Sequence, residues 1–78
     1  MTGERLSIEL RGEFQDDRRT RWTWEITFEK ATTYAGWGYY GEVWSDTAKF
    51  DIERGGLEGE RTPAQLQGEG EQIARNRL

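Results

Sequence analysis

Strict alternation of apolar and polar side chains between Arg21 and Glu29 is the feature that most constrains the fold. One side of an extended chain would carry large apolar residues here, and the other side would carry threonine and glutamate. The apolar residues are Trp22, Trp24, Ile26 and Phe28. A period of two residues is typical of a β-strand with one buried and one solvated face. We therefore expect the rest of the chain to pack on this strand.

A second alternating segment precedes this strand, and the polar run from Gln15 to Thr20 separates the two. The run is too hydrophilic to be buried and indicates a hairpin loop. Opposed residues of an antiparallel hairpin share a face, so pairing Phe14 with Trp22 places Gly12 opposite Trp24. The glycine would leave room for the indole ring. The same register pairs Leu10 with Ile26 and Ile8 with Phe28.

Two more strands are predicted. One lies near Tyr39 to Trp44, and the other carries Ala48, Phe50 and Ile52 toward the core. The phase of the third strand has two alternatives. Either Val43 faces the core opposite Phe50, or Tyr40 and Trp44 face it. Both alternatives leave at least one large aromatic residue outside the core, because successive side chains of a strand point to opposite faces.

The C-terminal part of the sequence predicts a connector and a helix. Residues 54–61 contain three glycines and indicate a flexible connector. The following Thr62-Pro63-Ala64-Gln65 combines a capping box with proline at the first helical position. Gly70 would lie on the inner stripe of this helix and allow close approach to the indoles. We predict one α+β domain over residues 1–78, a four-stranded antiparallel β-meander with the C-terminal helix packed on one face.

The sequence contains neither cysteine nor histidine. Disulfides, thiolate metal sites and thiol nucleophiles are thereby excluded, and the commonest general base is missing. Carboxylates are abundant, but fifteen acids in a chain of 78 residues are expected to be mostly solvated. We therefore expect a non-enzymatic protein with no metal and no cofactor. The sequence shows no apolar run of the length of a signal peptide or a membrane span, which favours a soluble cytoplasmic protein.

Residues Gly36 to Val43 spell G-x-G-x-x-G-x-V, the pattern of a kinase glycine-rich loop and, in its first six positions, of a dinucleotide-binding loop. Such glycines let backbone amides approach phosphates. The context argues against both, because no helix is predicted after the motif and the chain is too short for the other kinase loops. We interpret these glycines as permitting a bulged turn among crowded aromatic residues.

The formal net charge is −4 and is unevenly distributed. Residues 51–71 hold six acids and two bases. A nucleic-acid-binding surface would need basic residues clustered on one face. The sequence therefore favours a protein partner with a basic surface.

A cluster of aromatic residues is the feature that most resembles a binding surface: Tyr34, Trp37, Tyr39, Tyr40 and Trp44. Rings left outside the core would anchor a partner, since Trp, Tyr and Arg dominate interface energetics. The charged hairpin tip and the acidic segment would add contacts at the rim. The predicted partner-binding residues are Trp37, Tyr39, Tyr40, Trp44, Arg18, Arg19, Glu58 and Glu60.

Two other functions compete with protein binding. Single-stranded nucleic acid would stack its bases on Trp and Tyr while Arg18, Arg19 and Arg21 meet the phosphates. Alternatively, the exposed aromatic residues would form the seam of a small homodimer. A salt-dependent shift of labelled single strands would favour the first, and a doubled mass in solution would favour the second.

In size, compactness and lack of catalytic groups, the chain resembles the small accessory proteins of phages and mobile elements, including anti-CRISPR proteins and other inhibitors of host defence. The resemblance covers the general character of the whole chain and assigns no roles to individual residues. It implies an inhibitor that works in the cytoplasm of a bacterial host by occupying the nucleic-acid-binding surface of another protein.

Overall fold

The computed structural model describes residues 5–31 and 35–78. Within them, four strands form one antiparallel sheet in chain order, and one helix packs against a single face of that sheet. The elements are β1 (Arg5–Gln15), β2 (Arg21–Ala31), β3 (Trp37–Trp44), β4 (Lys49–Leu57) and α1 (Pro63–Arg77). The predicted α+β fold, a four-stranded β-meander with a C-terminal helix on one face, is confirmed.

The predicted register of the first hairpin is also confirmed. β1 and β2 pair continuously along their length, with Phe14 opposite Trp22 and Gly12 opposite Trp24. The apolar side of this hairpin faces α1 and supplies most of the core. Among the residues whose side chains the structure describes, the buried side chains of the core are Phe14, Trp22, Trp24, Ile26, Phe28, Val43, Ile52, Leu66 and Ala74.

The indole of Trp24 lies between two glycines, one from β1 and one from α1. A Cβ atom at Gly12 would stand 2.7 Å from the ring, and a Cβ atom at Gly70 would stand 2.6 Å from it. Neither distance is possible for a real side chain, so the absence of Cβ at both positions lets sheet and helix close on the ring. Trp24 is consequently only 1% exposed. This confirms that Gly70 lies on the inner stripe of the helix.

Helix α1 begins with the predicted cap. The Thr62 hydroxyl accepts a hydrogen bond from the Gln65 N–H at 3.2 Å, and the Gln65 side chain accepts one from the Thr62 N–H at 2.8 Å. On one side of the helix, Gln67 Nε2 donates to the Arg11 carbonyl oxygen of β1 at 2.9 Å. On the other side, Arg77 Nε donates to the Asp51 carbonyl oxygen of β4 at 2.6 Å. The helix therefore contacts the backbone of both edge strands.

The phase of β3 follows the first of the two predicted alternatives. Val43 is fully buried and pairs with Trp24 on one side and Phe50 on the other. Tyr40 and Trp44 consequently point away from the helix. β3 begins at Trp37, two residues before the predicted start.

The connector predicted at residues 54–61 begins later than expected, because β4 continues to Leu57. The ladder between β3 and β4 is irregular between Tyr39 and Gly41, where two residues of β4 oppose one residue of β3. Beyond this β-bulge, Gly55 lies under the Tyr39 ring, whose atoms fill the space that a side chain at Gly55 would need. Two of the three glycines that suggested a flexible connector, Gly55 and Gly56, therefore belong to β4, and Gly55 allows close packing within the strand.

Phe50 is less enclosed than predicted. It lies on the helix side of the sheet, as expected, with its ring centroid 6.0 Å from that of Trp22. It remains 37% exposed because β4 is an edge strand and the helix lies mainly over β1 and β2. The Arg77 guanidinium covers part of the ring at 5.1 Å.

The glycines between Gly36 and Val43 serve the packing of the sheet. Gly36 has φ = 123°, a backbone conformation that side chains rarely adopt. A side chain at Gly41 would collide with the backbone of β2 at Glu25. The motif lies within and just before β3, and the next element along the chain is another strand. It therefore lacks the strand-to-helix context of a dinucleotide-binding loop.

Candidate binding face

The sheet has one face covered by α1 and one face that no other described element covers. We call the second the open face. Among the residues whose side chains the structure describes, it consists of those of each strand that point away from the helix: Ser7, Glu9, Arg11, Glu13, Gln15, Arg21, Thr23, Glu25, Thr27, Glu29, Gly38, Tyr40, Glu42, Trp44, Lys49, Asp51, Arg54 and Gly56. Most are polar, as expected for a solvated face, and two large aromatic residues are the exceptions.

The two aromatic residues of the open face are Tyr40 and Trp44, both from β3. They are four residues apart on one strand, so their Cα atoms are separated by about 13 Å, with Glu42 between them. Tyr40 is 37% exposed and Trp44 is half-buried. Both were predicted to bind a partner, and the structure places them on the same uncovered surface.

Each ring is contacted by an arginine that is itself bound by a glutamate of β2. The Arg54 guanidinium lies 4.7 Å from the centroid of Tyr40, and its Nη1 is 3.2 Å from Glu29 Oε1. Arg54 belongs to β4, at one edge of the sheet. Arg11, the arginine beside Trp44, belongs to β1 at the opposite edge.

The second arrangement repeats the first at the other ring. The Arg11 guanidinium lies 5.9 Å from the centroid of Trp44, and its Nε is 3.5 Å from Glu25 Oε2. A cation within about 6 Å of a ring centroid is attracted by the ring's electrons. Each of the two rings therefore has an arginine within cation–π distance on an otherwise uncovered surface.

Acidic groups outnumber basic ones on the open face. Among the open-face side chains that the structure describes, the six acids are Glu9, Glu13, Glu25, Glu29, Glu42 and Asp51, and the four bases are Arg11, Arg21, Lys49 and Arg54. Three of the acids, Glu25, Glu42 and Asp51, stand directly opposite one another on adjacent strands. Like charges in such pairs repel, so a cationic group of a partner would reduce the repulsion within this row.

Lys49 partly neutralises this acidic row. Its Nζ is 3.0 Å from Glu42 Oε2, and this hydrogen bond raises the pKa of Lys49 above its ordinary value. The nearby carboxylate of Asp51 adds to the same shift. The row therefore attracts positive charge at the β4 side of the open face.

Trp44 stands between two shallow concavities at the end of β3. One, of about 420 Å³, lies against the β3–β4 turn and is lined by Glu42, Lys49 and residues 45–48. The other, of about 340 Å³, lies toward β2 and is lined by Arg21 and Thr23. A half-buried ring between two concavities offers apolar contact to a partner's side chains on either side.

The other two predicted anchors, Trp37 and Tyr39, lie on the face covered by the helix. Both are partly buried and pack against the core, and the Tyr39 ring centroid is 6.2 Å from that of Phe28. Lys30 Nζ lies 5.8 Å from the Trp37 ring centroid. These two residues contribute to the core rather than to the open face. Tyr34, which the sequence grouped with them, lies outside the described residues.

The predicted rim residues Arg18 and Arg19 are exposed at the β1–β2 hairpin tip. The loop is held by the Asp16 carboxylate, which accepts hydrogen bonds from Arg18 N–H at 2.8 Å, Thr20 N–H at 2.9 Å and Trp22 Nε1–H at 3.0 Å. These bonds, that from Trp22 above all, lower the pKa of Asp16. The tip therefore presents its arginines from a fixed turn.

Glu58 and Glu60 lie beyond the end of β4, at the opposite end of the sheet from the hairpin tip. Glu60 Oε1 is 2.5 Å from Lys30 Nζ, and the Glu58 carbonyl oxygen accepts a hydrogen bond from Arg61 Nη1 at 2.6 Å. The eight predicted binding residues are thus divided among two faces and two ends. Of the eight, Tyr40 and Trp44 lie on the open face.

Sequence reasoning missed the arginines that hold the two rings. The contact of Arg11 with Glu25 could have been predicted, because the predicted hairpin register already placed the two residues opposite each other. The position of Arg54 could not have been predicted, because the β-bulge in β4 changes which residues point to the open face.

No group of three or more Asp, Glu, His or Cys within the described ranges could hold a metal ion. In the same part of the chain, no helix is long and apolar enough to cross a membrane. Comparison of the chain with protein-family models, with curated proteins and with solved structures finds no match. The open face is therefore the feature of the molecule from which a function can be inferred.

Proposed function

We propose that this protein is a non-enzymatic binding module that attaches to another protein through the open face. The observation that supports it is the pair of rings, Tyr40 and Trp44, that arginines hold on the uncovered side of the sheet. Aromatic and arginine side chains together are the residue types that most often dominate interface energetics. Neither ring is needed to fill the core, which lies on the other face.

The charge of the open face indicates the chemistry of the partner. Carboxylates exceed basic groups there, and three of them form the cross-strand row at Glu25, Glu42 and Asp51. A complementary surface would be basic, with a cationic side chain near this row and apolar contacts over the two rings. Surfaces that bind nucleic acid have this character. We propose an inhibitor, anti-CRISPR-like, that occupies such a surface on a protein of a bacterial host's cytoplasm.

The test is capture of the partner from a host extract by immobilised protein. Replacing Tyr40→Ala and Trp44→Ala together should reduce capture by tenfold or more, as expected when two anchors worth about 1–2 kcal/mol each are lost. Phe50→Ala is the matched control, because Phe50 is as exposed as Tyr40, at 37%, but lies on the helix side of the sheet.

Competition adds a second readout to this experiment. If the module occupies a nucleic-acid-binding surface, excess DNA or RNA should displace the captured protein. Undiminished capture by the double variant, or a stronger loss with Phe50→Ala, would show that the open face is not the binding surface. Capture that nucleic acid does not compete with would exclude the inhibitor but leave the binding module in place.

Binding of single-stranded nucleic acid is a second candidate for the same face. The observation that favours it is the proximity of Arg11 to Trp44 and of Arg54 to Tyr40, since bases stack on rings while arginines contact phosphates. The acidic row between the rings opposes it. Labelled single strands titrated at low salt would decide, because affinity should fall steeply with added salt if the arginines bind phosphates.

A further inference from the structure

The two edges of the sheet differ in how well they are protected. β1 pairs with β2 in a continuous register, and neither a bulge nor a proline interrupts it. β4, at the other edge, contains a bulge. A helix side chain bonds one outward carbonyl oxygen of each edge strand, Gln67 that of Arg11 and Arg77 that of Asp51, so the bulge is what distinguishes the two edges. Bulges and covering side chains protect edges, whereas a long regular edge strand is a template for pairing with another chain. β1 has the regularity that β4 lacks.

Two hydrogen bonds show which backbone groups of β1 face its free edge. The Asp16 N–H donates to the Thr20 carbonyl oxygen at 3.0 Å, so the even-numbered residues of β1 bond to β2, because bonded and non-bonded pairs alternate. Consistently, the Arg11 carbonyl oxygen bonds outside the ladder, to the exposed Gln67 side chain, and keeps a second lone pair for another donor. The odd-numbered residues, including Glu9 and Arg11, therefore direct their N–H and C=O groups away from β2.

We propose that β1 pairs antiparallel with β1 of a second copy of this chain, with a two-fold axis at Leu10. Leu10 is the midpoint of the strand Arg5–Gln15, so this register overlaps the whole strand. Glu9 then stands opposite the partner's Arg11, and Arg11 opposite the partner's Glu9. Both contacts join opposite charges on directly opposed residues, which stabilises an antiparallel pair.

Neighbouring registers lack this complementarity. An axis at Glu9 sets Glu9 opposite itself, and an axis at Arg11 sets Arg11 opposite itself. An axis at Gly12 pairs Arg11 with the partner's Glu13, but it overlaps only residues 9–15 of each strand. The charge pattern and the length of the strand thus select the axis at Leu10.

The apolar side chains of β1 support the same register. Leu6 is 54% exposed, the most exposed of the large apolar residues in the described part of the chain. With the axis at Leu10, Leu6 lies opposite the partner's Phe14, and Ile8 lies opposite the partner's Gly12, where no side chain competes for space. Pairing therefore removes apolar surface from water on the helix side.

The two-fold axis would run perpendicular to the sheet. Both helices then lie on one face of a continuous eight-stranded sheet, and the two open faces join on the other. This arrangement differs from a homodimer seamed by Tyr40 and Trp44, because those rings stay uncovered.

Sedimentation equilibrium of the full chain, from micromolar to millimolar concentration, tests this proposal. The wild type should approach twice the chain mass. Glu9→Arg and Arg11→Glu should each weaken self-association by about tenfold or more, since each creates two like-charge contacts. An equimolar mixture of the two variants should regain dimers, because the two arginines of one variant would then face the two glutamates of the other.

Three further variants make the result specific. Glu13→Arg is the control for the register at Gly12 and should leave the dimer intact, since residue 13 faces the partner's Ser7. Glu9→Pro should give a monomer with the native circular dichroism spectrum, because the N–H it removes faces the free edge. Trp44→Ala should leave the mass unchanged. A wild type that stays at the chain mass, a mixture that does not associate, or a dimer that Trp44→Ala abolishes would each overturn the proposal.

Discussion

The two faces of the sheet hold their aromatic residues by different means. On the covered face, Trp24 is enclosed by glycines of β1 and α1 and is 1% exposed. On the open face, Tyr40 and Trp44 are held by arginines, and those arginines by glutamates, all at partly exposed positions. One face uses close packing, and the other uses charge.

This difference has an energetic consequence. Close packing of a buried ring contributes several kcal/mol and fixes one arrangement, whereas an exposed ion pair contributes about 0.2–1 kcal/mol. The rings of the open face can therefore change neighbours at low cost when a partner arrives. The Trp24 ring cannot move without opening the packing between sheet and helix.

The largest expected effect on the free energy of unfolding comes from a comparison in which one tryptophan is removed from each face. Trp24→Ala should lower the free energy of unfolding by about 3–5 kcal/mol, because it leaves a cavity between β2 and α1. Trp44→Ala should cost about 1 kcal/mol or less, because the ring is half-exposed and leaves no enclosed space. Urea denaturation followed by circular dichroism measures both. Equal losses would show that the open-face ring is part of the core.

Two glycines of α1 provide a finer test of close packing. Gly70→Ala should destabilise the protein by about 1–2 kcal/mol, because the new Cβ meets the Trp24 ring at 2.6 Å and overpacking exceeds the gain in helix propensity. Gly68→Ala should stabilise it by about 0.5–1 kcal/mol, since a Cβ there would meet no atom within 4 Å apart from its chain neighbours and the backbone of its own helix. Thermal unfolding of the two variants should shift in opposite directions. A gain from both would mean that the helix can move away from the ring.

The smallest expected effect is on the pH dependence of stability. It arises at one edge of the covered face, where the Trp22 indole N–H donates a hydrogen bond to the Asp16 carboxylate. The hydrogen bond from Trp22 lowers the pKa of Asp16 below its ordinary value of 3.8. The folded state therefore favours the carboxylate, so the stabilisation is present above pH 3.8 and is lost as the pH falls through the lowered pKa.

The measurement is the urea midpoint as a function of pH. Asp16→Asn should lower the midpoint at neutral pH and flatten its decline in acid, while the neighbouring exposed Asp17→Asn serves as the control. If Asp16→Asn leaves the acid limb as steep as in the wild type, this carboxylate is not responsible for the pH dependence.

The first hairpin was predicted correctly because the residues that specify it are close together in the sequence. The two-residue period of Arg21 to Glu29 and the glycine opposite Trp24 together specified faces, partners and register. The capping box at Thr62 likewise placed the start of α1. In each case the residues that decide the structure are close in sequence or directly opposed across one turn.

The candidate site was predicted only in part. The sequence named Tyr40 and Trp44, but it grouped them with Trp37 and Tyr39, which the alternation of β3 sends to the other face. The neighbouring strands decide which set of alternate β3 side chains faces the core. Val43 lies between Trp24 and Phe50, and because it is buried, Tyr40 points outward.

The sequence by itself determined the strand pattern, the hairpin register, the helix cap and the order of the elements, because periodicity, turn chemistry and capping act over a few residues. The tertiary structure alone decided which aromatic residues stay uncovered and which arginines hold them. Those outcomes depend on the β-bulge that turns Arg54 toward Tyr40 and on the single helix that covers only one side. Both bring together residues far apart in the chain, and no local pattern within β3 records which of its two faces will be left open.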